Sequence, residues 1–181
     1  MKYRLPTIAA LTLALCCGAA SAAVDEAKLV YKQAQETAAS NYKVARARCD
    51  AIAGNPKDVC VAEAKAARVR TEEEAGAYYK NTLKAYTKSR VKIAEATYDL
   101  DKAKCGALAG NQKDVCISQA KATLVATKAD ATADKKAMEA RADAREDKRT
   151  AEYQVAREKC DAFAGATKDS CMSAAKAQYG K

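Results

Sequence analysis

The sequence predicts an all-α fold of elongated antiparallel helical hairpins: three disulfide-stapled helix-turn-helix repeats, arranged as a bundle or a rod. Three observations predict it. The stretch CDAIAGNPKDVCVAEAKA, opening at Cys49, returns as CGALAGNQKDVCISQAKA at Cys105 and as CDAFAGATKDSCMSAAKA at Cys160. Forty-five of the 181 residues are Ala, the strongest intrinsic helix former, and only two are Pro. Upstream of each first cysteine, small and apolar residues recur at three- and four-residue steps, the spacing of one helix face.

Residues 1–22 read as a cleaved export signal. Lys2 and Arg4 supply its positive start, Ile8–Ala20 its apolar stretch, and Ala20-Ser21-Ala22 a small-x-small cleavage site. The apolar run is too short for a membrane span. Cys16 and Cys17 raise a lipoprotein alternative, but Leu15 stands before Cys16 where such signals usually carry a small residue. Cleavage after Ala22 leaves residues 23–181 as one three-repeat helical region with no transmembrane span. It retains six cysteines, all of them in the repeated pairs.

The first helix is expected from about Asp25 to Ala53, with Tyr31, Ala34, Ala38, Tyr42, Ala45, Cys49 and Ile52 along its buried stripe. Gly54 and Asn55 read as its C-cap, Pro56 prevents simple continuation, and Asp58 reads as the N-cap of the next helix. The pattern recurs at Gly110-Asn111 with Asp114, and at Gly165 with Asp169, placing hairpin turns near 54–57, 110–113 and 165–168. Cys49 and Cys60 are equidistant from the Gly54–Asn55 midpoint. Antiparallel helices set such positions opposite each other, and neighbouring Ala residues permit the 5–6 Å α-carbon spacing of a disulfide. The expected pairs are Cys49–Cys60, Cys105–Cys116 and Cys160–Cys171. Each loop closed in this way adds roughly 3 kcal/mol on the chain-entropy model.

The connecting segments, Asp58–Ala109 and Asp114–Ala164, each read either as one long helix or as two helices with a break. Gly76 and Thr132 mark the soft point at the same offset in each, and Thr71-Glu72-Glu73-Glu74 resembles a capping box. Composition limits the core: Phe occurs once and Trp never, so little large apolar surface is available to bury.

The chain has no His. That removes the commonest general base, the Ser–His and Cys–His nucleophilic pairs and imidazole metal sites. No Gly-rich phosphate loop is present either, so the expectation is a protein that is not an enzyme, without catalytic residues, cofactor or metal. Ten residues separate the cysteines of each pair, unlike the Cys-x-x-Cys of thiol oxidoreductases. A thiol-redox or metal-binding alternative rests only on Cys60, Cys116 and Cys171 lying near helix starts. The charge is +9, from 32 basic and 23 acidic residues. Within Tyr78–Lys92, Lys80, Lys84, Lys88 and Lys92 recur every four residues, joined by Arg90, with tyrosines between and no acid. On one helix this would form a basic stripe able to hold an acidic polymer. The mixed charges of Asp134–Arg149 instead read as a solvated helix supported by pairs four residues apart.

The C-D-A-[IF]-A-G…K-D-x-C core and the Ala/Lys-rich helices resemble a group of small exported cysteine-repeat proteins of proteobacteria, often labelled TolA-like. What the resemblance implies is a helical rod of the cell envelope, with no residue role attached. A fainter likeness is to phosphate-starvation-inducible PsiF proteins, whose cysteines bracket a similar turn at a different spacing. The expectation is then a non-enzymatic periplasmic or secreted structural or interaction protein, or alternatively a binding module for acidic envelope polymers. Its partner is an envelope protein or such a polymer, and export argues against nucleic acid.

Overall fold

The computed structural model describes residues 19–181, with side-chain surroundings from Glu26 onward. Residues 1–18, which carry most of the segment read as an export signal along with Cys16 and Cys17, lie outside the described residues. Five α-helices follow: α1 (Ala19–Arg48), α2 (Asn55–Lys80), α3 (Leu83–Lys104), α4 (Gly110–Cys160) and α5 (Gly165–Tyr179). Single 3-10 turns at Cys49–Ala51 and Cys105–Ala107 close α1 and α3. No strand occurs among the described residues, and the all-α hairpin architecture stands.

The turns come a few residues earlier than their expected places. In each copy the backbone closes a tight turn directly after the first cysteine. Ile52, Leu108 and Phe163 donate to the carbonyls of Cys49, Cys105 and Cys160 at 3.1 Å. Extended backbone follows, at Ile52, at Leu108 and Ala109, and at Ala164, and then a glycine with φ of 64°, 52° or 54° at positions 54, 110 and 165. That left-handed conformation favours Gly. The glycine therefore opens the next helix and does not close the previous one. Pro56 falls in the first turn of α2, where its missing N–H has no intrahelical partner to lose. Asp58, Asp114 and Asp169 consequently lie inside the helices and cap nothing. Ile52, Leu108 and Phe163 also leave the expected buried stripe, because they follow the helix end and are exposed.

The two connecting segments differ from each other. The first does break, but at Asn81–Thr82. Gly76 lies within continuous helix, and Thr71 bonds back to the Ala67 carbonyl at 3.2 Å without capping anything. Asn81 takes the left-handed conformation (φ 44°, ψ 44°), which Asn tolerates better than most residues. The Thr82 hydroxyl accepts from the Ala85 N–H at 3.1 Å and starts α3. The second segment runs through Thr132 without interruption. The equivalent of Asn81-Thr82 there is Ala137-Met138, two strong helix formers with no capping group.

Among the described residues, extensive contacts join only chain neighbours: α1 to α2, α2 to α3, α3 to α4 and α4 to α5. The result is an up-and-down meander with no second layer over it, so each helix buries only a narrow strip. Among the described residues, those buried are accordingly Ala, one Ser (Ser89), and the first cysteine of each pair. α4, with 51 residues, is about 76 Å long at 1.5 Å per residue. α3 covers its first half, ending near the Arg90–Asp134 ion pair, and α5 covers its last part, where Tyr179 meets Tyr153. Between them, residues 136–145 are exposed on every side. Helix-forming residues and the Lys135–Glu139 pair at 3.2 Å support this bridge.

Candidate functional site

Each repeat centres on its stapled turn. Cys49–Cys60, Cys105–Cys116 and Cys160–Cys171 are all disulfide-bonded, with α-carbons 5.7 Å apart in every case. Only side chains as small as Ala around the bond allow helices to approach this closely. Cys49, Cys105 and Cys160 are buried, whereas Cys60, Cys116 and Cys171 are half-buried at the start of the following helix. All six repeated cysteines are thus committed to bonds, and these three disulfides are compatible with an oxidising environment. Among the described residues, no group of three or more Cys, Asp or Glu side chains gathers into a metal-ligand cluster.

Ion pairs brace the turns unevenly. Asp50 accepts from Arg46 at 2.6 Å and meets Lys57 at 3.4 Å, and Asp161 meets Lys168 at 2.7 Å. The hydrogen bond and charge of Arg46 hold the Asp50 carboxyl below its ordinary range, and Lys168 does the same for Asp161. The second copy has Gly106 where the others carry these aspartates. The structure supplies the reason. The first two turns lie side by side, and the Asn55 side-chain amide donates to the Ala103 carbonyl at 2.7 Å. A β-carbon on Gly106 would fall 2.3 Å from that amide nitrogen. In the sequence Asn55 reads only as a turn residue, and nothing beside it signals its contact with α3. The signal was the single Gly at a position that is otherwise Asp.

The basic segment does not form one stripe. The break at Asn81–Thr82 leaves Lys80 at the end of α2 and puts Lys84, Lys88, Arg90 and Lys92 on α3. Arg90 is paired with Asp134 at 2.6 Å, and Lys92 with Glu95 at 3.0 Å. Glu95 also binds Lys128 across to α4 at 2.8 Å, and its carboxyl is held below the usual range chiefly by that bond. Lys80, Lys84 and Lys88 are exposed and enter no ion pair among the described residues. Lys80 and Lys88 do converge on one cleft of about 190 Å³, but Glu72 and Glu73 line it too. Of the segment's tyrosines Tyr79 packs, whereas Tyr78 and Tyr86 are exposed. Tyr31 stacks on Tyr79 at 5.1 Å, and Arg68 lies over Tyr42 at 5.4 Å.

No described helix is long and apolar enough to cross a membrane. No protein-family model, curated protein or solved structure matches the chain.

Proposed function

We propose that the protein is a non-enzymatic structural or interaction module of the bacterial cell envelope, exported to the periplasm or beyond. The observation that carries this reading is the set of three identical disulfide staples in a molecule whose buried residues are Ala, Ser and Cys. A fold so poor in core depends on covalent closure, and disulfides persist only where the compartment is oxidising. Thiol labelling of the protein taken directly from fractionated cells tests it. No free thiol in the repeated pairs and recovery in the periplasmic or secreted fraction are expected. Free thiols in all three pairs, or retention in the cytoplasm, would sink the reading.

Binding of acidic envelope polymers is a second reading, supported by the exposure of Lys80, Lys84 and Lys88 without ion-pair partners among the described residues. Arg90 and Lys92 are already engaged and contribute less. Binding to a polyanion that weakens with salt and disappears in Lys84→Glu/Lys88→Glu supports it; salt-independent or absent binding ends it.

A further inference from the structure

Among the described residues, α4 buries only one of its faces. That face carries Ala120, Leu124 and Thr127 toward α3, and Tyr153 and Ala156 toward the α5 side. On the opposite face runs an exposed stripe: Ala122, Ala129, Ala133, Ala140, Ala144 and Ala151. Its steps alternate between seven and four, an eleven-residue repeat. Such a repeat keeps a stripe on one side of a nearly straight helix.

The equivalent positions of the first repeat are covered. Ala133 stands where α2 has Ala77, and Ala144 and Ala151 stand where α3 has Ser89 and Ala96; those three are buried. They are covered because the chain reverses at Asn81–Thr82 and lays α3 along α2, the most extensive helix pairing in the molecule. α4 does not reverse. Both halves of the same kind of interface therefore lie open along a single helix.

We propose that α4 pairs with the α4 of a second copy, antiparallel about a twofold axis near residue 137. The first half of each helix would then cover the second half of the other. This is the swapped counterpart of the α2–α3 pairing, a low-cost route to a symmetric dimer. Charge along one edge of the stripe fits it. Lys121, Lys128 and Lys136 occupy the first half, and Glu139, Asp143 and Asp147 the second. The α2–α3 pairing contains a Lys65–Asp99 ion pair at 3.3 Å. Carrying that register over sets Lys136 against the second copy's Glu139; Lys128, which would face its Asp147, is already held by Glu95 of its own chain. A parallel arrangement would set each of these charges against its own like. The antiparallel contact extends from Lys121 to Gln154, about 50 Å of helix. It depends on neither the compartment nor any envelope partner.

Sedimentation equilibrium of the oxidised protein, over a range of concentrations, tests the pairing. A reversible monomer–dimer equilibrium is expected. Lys136→Glu and Glu139→Lys should each weaken it roughly tenfold, because the symmetry repeats each repulsion twice. The double variant should recover the wild-type constant, and Ala144→Arg should leave monomers. Circular dichroism checks that each variant keeps its helix. A wild-type protein that stays monomeric throughout overturns the pairing, as does a dimer indifferent to both single charge reversals.

Discussion

Gly106 is the one glycine among the three stapled turns whose role is purely spatial. Its two counterparts are aspartates that pair with nearby lysines, so local chemistry alone would favour Asp there too. The neighbouring turn decides otherwise, because Asn55 occupies the volume a side chain would need. Gly106→Ala should displace the Asn55 amide from the Ala103 carbonyl and cost about 1 kcal/mol, the net worth of one such bond. Gly106→Asp should cost more. In an Asn55→Ala background the Gly106→Ala penalty should largely vanish, and a double-mutant cycle by urea unfolding measures that coupling. Charged residues set a second expectation. Asp50, Glu95 and Asp161 each have a lowered pKa from a basic partner. Their contribution is therefore present above the ordinary carboxylate range and is lost as pH falls through the lowered values. The melting temperature should decline below about pH 4. The decline should be shallow, since exposed pairs contribute little. Glu95→Gln should flatten it, because of these three carboxylates Glu95 is the one that joins α3 to α4, through Lys128.

At the scale of elements, two residues separate a hairpin from a rod. Asn81 and Thr82 turn the first connecting segment back on itself, while Ala137 and Met138 let the second run straight. Thr82→Ala removes the capping hydroxyl and should cost about 1 kcal/mol. Replacing Asn81-Thr82 with Ala-Met should do more, favouring continuous helix through the turn and loosening α3 from α2. Hydrogen exchange at Ser89 and Ala96 would report that loosening, and unchanged protection there would show that packing, not the turn, holds the pair. These determinants were legible in principle. Asn followed by Thr is a helix stop and start, whereas Gly76, the weaker helix former, has its flexibility accommodated within a packed helix. The break lies not where backbone propensity is weakest but where side chains can replace the missing backbone bonds.

Across the whole molecule, the meander makes stability uneven. α2 and α3 are held on two sides, whereas α5 has only α4 to rest on. Removing its staple by Cys160→Ala/Cys171→Ala should therefore release α5 and leave the rest folded, with a loss of helix near the 15 residues of α5. Circular dichroism and hydrogen exchange would follow this. Removing Cys105–Cys116 should instead lower overall stability by roughly 3 kcal/mol, with the helices still in place, because α3 remains held by α2. Equal effects at the two staples would contradict so linear a distribution of contacts. The same linearity leaves the far side of α4 free for a second copy.

By itself the sequence determined the helical class, the three repeats and the identity of the three cysteine pairs. These follow from local chemistry and spacing: Ala content, the Gly-containing turn, and two cysteines equidistant from it. Tertiary structure decided which lysines stay free and why the second copy needs Gly106, whereas the fold-back of the first connecting segment is set locally by Asn81 and Thr82. Those two outcomes turn on contacts between different helices, such as Asn55 with Ala103 and Arg90 with Asp134. A repeat specifies its own hairpin through neighbours along the backbone; what lies beside the hairpin is specified only once the chain has folded.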